Sequence, residues 1–176
     1  MGDLYKLALT IGMLALCFPD HASGRVSIGD PEAIATIASD LAIPVDSVSG
    51  LARCVVARAE PGNKLAVFDK CIYARTPQSA LLAKFDEQAG IYKLLWNLNV
   101  HSTRAVGLKK LGRAQQVQVH GKDTFIVFSL LSESPFGANA GTREAYEHLR
   151  SLGLDNAAPL QFVYEYRPIR VRVETR

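Results

Sequence analysis

The chain has three cysteines and one tryptophan in 176 residues, and no C-x-x-C pair, which argues against a structural zinc site or a disulfide-dense miniature scaffold. It also lacks a Gly-rich phosphate loop, a G-x-S-x-G elbow and an H-E-x-x-H helix, so the motif-bearing nucleotide-binding, α/β-hydrolase and zincin classes are set aside. Its longest apolar run, Leu7 to Phe18, is too short to span a bilayer. No Asp or Glu occurs between Gln88 and Lys122.

The apolar run stops at Pro19 and is followed by the small residues Ala22-Ser23-Gly24. This pattern reads as a secretory signal over residues 1–24, cut before Arg25, leaving residues 25–176 as one domain of ample size to bury a core. The alternative is an uncleaved membrane anchor through residues 7–18. Cys17 loosely resembles the acylated cysteine of a bacterial lipoprotein, although Leu16 before it is bulkier than that motif tolerates. Export to a periplasmic or extracellular compartment makes a Cys54–Cys71 disulfide the simplest expectation for the remaining pair. Closing that loop contributes about 3 kcal/mol in the chain-entropy model.

Net charge is +3; removing Asp3, Lys6 and Asp20 with the signal raises it to +4, too modest to mark a dedicated nucleic-acid binder. The distribution carries more. Lys93, Arg104, Lys109, Lys110, Arg113 and Lys122 fall within the acid-free stretch, a local charge that favours an anionic partner: an acidic protein, a lipid headgroup or a polyanion, with nucleic acid less favoured. Acids from elsewhere in the chain could fold back and neutralise these cations, leaving only a solvated loop.

Periodicity suggests an α+β fold, with a mainly antiparallel sheet of about four strands packed by three to four helices after the signal segment. Asp30-Pro31 opens a helix over residues 31–42, and Asp46 or Ser47 caps a second with the stripe Val48, Leu51, Ala52, Val55, Val56 and Ala59. This pair resembles a helix-turn-helix unit, but its second helix lacks base-reading Asn or Gln. Pro61-Gly62-Asn63 turns the chain into a strand over 64–73. Thr76-Pro77 opens a third helix carrying Leu81, Leu82, Phe85, Tyr92, Leu95 and Trp96 to about residue 98. Residues 101–112 form a basic connection, and a hairpin turns at Gly121-Lys122-Asp123. Residues 132–141 form a loop presenting Phe136, Thr142 caps a last helix, and a final strand breaks at Arg167-Pro168.

Chemistry-bearing residues are sparse. His101-Ser102-Thr103 resembles half of the two-histidine phosphoesterase pattern, but neither His120 nor His148 supplies the second half. His101 and His120 with Lys122 or Arg113 could serve as base, acid and phosphate clamp in a small metal-independent phosphodiesterase or nuclease. Glu144, Glu147 and His148 on one helical turn offer at most a weak metal site. The leading expectation is a non-enzymatic, envelope-associated or secreted binding protein with no cofactor and no catalytic residue, contacting its partner through Arg104, Lys109, Lys110, Arg113 and Lys122. A structural subunit of an exported assembly, joined through the edge Arg167 to Val173, is the third possibility. Expressed in an export-competent host, the protein should give an intact, unreduced mass that starts at Arg25 and is two hydrogens below the thiol form; an uncut, fully reduced chain would remove both expectations.

Overall fold

In the computed structural model, residues 30–60, 64–65, 68–111, 114–122, 124–131 and 135–161 are described. The signal segment, Pro61-Gly62-Asn63, Arg113, Asp123 and the strand expected over 162–173 lie outside them. The described residues form nine strands and two α-helices, so the expected four-strand sheet packed by three to four helices is replaced by one large mixed sheet. Its order is β5-β4-β3-β1-β8-β7-β6-β9, with β2 pairing β1 off this path. All pairings are antiparallel except β6 with β9.

Helix α1 (Pro31–Asp40) begins where Asp30 accepts a hydrogen bond from the Glu32 N–H at 3.0 Å and Pro31 supplies a preset φ. It ends near Ala42, whose φ of 53° turns the chain toward Pro44 and a short 3-10 turn, Val45–Ser47. Strand β1 (Gly50–Glu60) occupies the expected second helix. Its apolar residues satisfy both periodicities because both of its faces are buried: Ala52, Cys54 and Val56 point into the main core, while Leu51 packs under α1. Beyond β2 (Lys64–Leu65), β3 (Asp69–Arg75) carries Cys71 directly opposite Cys54, with Cα atoms 4.8 Å apart and a disulfide between them. The bond therefore joins two neighbouring strands, where a helix-to-strand staple had been expected.

The expected third helix is the hairpin β4 (Ala80–Asp86) and β5 (Ile91–Leu98). Asp86 forces the turn by accepting from the Gln88 and Ala89 N–H groups at 2.9 and 3.1 Å, and Gly90 takes φ 67°. The basic connection is strand β6 (Thr103–Leu111), followed by β7 (Ala114–Gly121) and β8 (Phe125–Leu130). Helix α2 (Pro135–Ser151) starts within the expected Ser/Pro/Gly loop and ends before Gly153, φ 92°. Thr142 is buried inside it, its Oγ1 accepting from the Leu130 N–H at 3.0 Å rather than capping. Strand β9 (Asp155–Asn156) then adds beside β6.

Consecutive strands β5 and β6 lie six strand spacings apart along the sheet, about 29 Å if it were flat. Residues 99–102 joining them reach at most about 17 Å. The sheet therefore curls, bringing its ends together and enclosing Tyr73, Leu82, Leu98, Val106, Val117, Val119 and Phe128, with Ala145 and Leu149 of α2 filling the interior. A second cluster lies on the outside, where Ile37 and Ala38 of α1 cover Leu51, Ala74 and Leu81.

The disulfide sits wholly inside the curl, Cys54 fully buried and Cys71 nearly so. Cys54→Ala/Cys71→Ala is expected to lower the urea-measured unfolding free energy by about 3 kcal/mol, with additional loss from the vacated volume. An unchanged midpoint would mean that the sheet holds these strands in register without it.

Candidate functional site

The connection that closes the curl is a polar turn. Asn99 Oδ1 accepts from the N–H groups of His101 and Ser102 at 2.9 and 3.0 Å, and Ser102 Oγ donates to the Asn97 carbonyl at 2.6 Å. Facing it, the Thr76 to Ser79 turn is closed by mutual bonds of 2.9 to 3.0 Å between the two residues. Between these turns and the C-terminus of α2 lies an open cleft of about 550 Å³, lined among others by Gln78, Ser79, Asn97, Asn99, His101 and Ser151. Among the described residues its lining contains no carboxylate.

His148 stands behind this cleft. Its Nε2 lies 3.2 Å from the Ser79 carbonyl, an acceptor only, so that nitrogen carries the proton and ties α2 to the cleft wall. Burial, with Arg75 nearby, lowers its pKa below the usual histidine value. Committed to Ser79, it is not arranged with the exposed Glu144 and Glu147 as a metal site; no group of three such ligands occurs among the described residues.

Of the proposed catalytic pair, His101 alone is among the described residues that line this cleft. His101 is exposed and lines the cleft. His120 lies on β7 with its ring edge-on to Phe125 at 4.4 Å, and its Nε2 is enclosed without a hydrogen-bond partner among the described residues. Desolvation lowers its pKa as well.

The basic residues divide into two groups. Arg104 begins β6, and Lys122 follows β7 in the adjacent turn, where its N–H donates to Ser102 O at 3.3 Å. Lys109 and Lys110 lie at the other end of β6, about 20 Å away at strand rise, opposite Gln116 and Gln115. Arg113 lies outside the described residues, beside this second group in sequence. Arg104, Lys110 and Lys122 are exposed and Lys109 is half-buried. None of the four forms an ion pair among the described residues, whereas Lys84 pairs with Asp69 and Lys93 with Asp86, each at 2.5 Å.

Sequence reasoning missed the cleft because residues 77–98 carry a helical stripe that concealed a hairpin. The available signal was Asn97-x-Asn99-x-x-Ser102, a run of turn formers directly after an apolar stretch. It also missed the outer edge of β5, the last strand of the sheet among the described residues, where Ile91 and Leu94 are exposed and the Tyr92 N–H donates to Asp40 Oδ2 at 2.9 Å.

No protein-family model and no curated protein matches the chain. Among solved structures, the hSac2 domain from the human phosphoinositide phosphatase Sac2 aligns with 12% identity and a TM-score of 0.42, covering 78% of this chain and 99% of that one.

Both shifted histidines make stability depend on pH. Their folded-state values lie below the ordinary 6.5, so the unfolded chain takes up protons first on acidification. Stability is full above about pH 6.5 and falls as pH drops below it. The urea midpoint should be lower at about pH 5 than at about pH 7.5, with a smaller difference in His148→Gln; an equal difference in that variant would remove His148 from the effect.

Proposed function

We propose that this is an exported, non-enzymatic binding domain that contacts an anionic partner through the basic ribbon of β6 and the β7–β8 turn. The observation that carries it is the unpaired state of Arg104, Lys109, Lys110 and Lys122 among the described residues. Of the cations in the acid-free stretch, Lys93 is taken by Asp86 and Asp155 of β9 lies opposite Ala105, but these four form no ion pair among the described residues and so remain available. Two cationic groups about 20 Å apart suit an extended anionic surface, such as a lipid headgroup layer or a polyanion, better than a small anion. The Cys54–Cys71 bond is compatible with an extracellular or periplasmic setting, and among the described residues no helix is long and apolar enough to cross a membrane. Export through residues 1–24, and the contribution of Arg113 to the surface, belong to the same proposal.

The assembly reading keeps one supporting observation. Its expected contact, Arg167 to Val173, lies outside the described residues, but among the described residues β5 ends the sheet, bearing exposed Ile91 and Leu94 on an edge that α1 engages through Asp40 and the Tyr92 N–H.

Binding to anionic phosphatidylglycerol vesicles should exceed binding to neutral phosphatidylcholine vesicles and weaken with salt. Lys109→Glu/Lys110→Glu and Arg104→Glu/Lys122→Glu should each reduce it by about tenfold or more. Vesicle binding that ignores salt, or that survives both double variants, would sink the proposal.

A further inference from the structure

The outward face of the sheet carries a row of residues whose burial neither helix explains. Register places Gly107 beside Gln118, Gln118 beside Val127, and Val127 beside Ala57, across β6, β7, β8 and β1. Gln118 and Val127 are 0% exposed, Ala57 is 2% exposed, and Gly107 is buried. Yet Ala57 and Val127 belong to neither hydrophobic cluster, since α2 fills the interior and α1 lies over Leu51, Ala74 and Leu81.

The chain itself enters this row from one side. After β9, the Ala157 N–H donates to Val106 O at 2.9 Å, and the backbone passes so close over Gly107 that a Cβ there would lie 2.8 Å from Ala157 O. Only glycine leaves room for that crossing. Three residues later the chain has reached β7, where the Gln118 side chain grips the Leu160 backbone as a neighbouring strand would. Its Nε2 donates to Leu160 O at 3.0 Å, and its Oε1 accepts from the Leu160 N–H at 2.8 Å.

Two residues along β7 on the same face stands Gln116, 2% exposed, its Oε1 buried and without a hydrogen-bond partner among the described residues. An extended chain repeats the direction of its N–H and C=O every two residues, as does the strand beneath it. A backbone held by Gln118 at residue 160 therefore presents its next matching N–H at residue 162, one repeat away, where Gln116 is the next matching acceptor.

We propose that this outer face is the docking site of the chain's own C-terminal segment beyond Gln161, with Gln116 receiving the backbone of Phe162 as Gln118 receives that of Leu160. The segment supplies Phe162, one repeat along β7 from the row of Val127 and Ala57, as apolar cover for that face. Its chemistry fits: aromatic residues recur with period two, and an acceptor buried without a donor is otherwise a net cost to the fold.

The test is hydrogen exchange on the full-length protein, wild type and Gln116→Ala, read by mass spectrometry at residues 162–166. Wild type should protect these amides well beyond the rate of an unstructured peptide. Gln116→Ala should lose most of that protection and lower the melting temperature, while β1 and β8 stay protected. Unprotected amides at 162–166 in wild type would overturn the proposal. So would a Gln116→Ala protein with an unchanged or raised melting temperature, the outcome if Gln116 were only an unsatisfied buried amide. If Gln116→Ala does not fold, a Phe162→Ala and Val127→Ala cycle replaces it: non-additive losses support docking, and strict additivity overturns it.

Discussion

The constraint on which the rest depends is the short connection Asn99 to Ser102, which joins the two ends of a long antiparallel path. Register makes the closure more demanding. Leu98 is level with Gly50 at the start of β1, through Ala80 and Arg75, whereas Thr103 pairs with Gly121 toward the other end of β1. Only a coiled sheet brings such points together, and sheets of L-residues twist in the sense that permits it. Once curled, the sheet has an inside and an outside with different chemistry, and every strand alternates between them.

The inside is nearly all apolar, and its composition follows from that. The disulfide lies there, sealed between β1 and β3, and the Tyr73 ring stacks on Phe128 at 5.8 Å. Burial pushes the Tyr73 hydroxyl well above the usual phenol range, and it has no hydrogen-bond partner among the described residues. The outside carries α1 and the segment 157–161. Among the described residues the cations at both ends of β6 form no ion pair, although Asp155 of β9 lies opposite Ala105, whereas Lys84 and Lys93 engage Asp69 and Asp86.

Legibility in the sequence followed how local each signal was. The cap at Asp30-Pro31 and the turn before Phe125 depend on neighbours in the chain and could be read from them. Misreadings fell where an element is buried on both faces or at a register change. In β1, burial on both sides placed small or branched apolar residues on both faces, at Leu51, Ala52, Cys54, Val56 and Ala57, and imitated a helical stripe. In β4 and β5, a bulge between Leu82 and Ala83 breaks strict alternation, so the hairpin read as one long helix. The basic stretch was noticed from its charge, while its folding as β6 was not, because Gly107 and Lys109-Lys110 suggested a loop. Gly107 serves a close backbone crossing instead.

By itself, the sequence determined the cysteine pair available for bonding, the charge imbalance between Gln88 and Lys122, and the amphipathic start at Asp30, because composition and local hydrogen bonding do not depend on distant residues. Tertiary structure alone decided that Cys54 and Cys71 face each other on adjacent strands, that the cations separate into two groups, and that His101 lines the cleft while His120 packs edge-on against Phe125. Those outcomes depend on which strands pair and in what register. Register is set by long-range burial on both faces of a curled sheet, a cooperative property that no window of sequence contains.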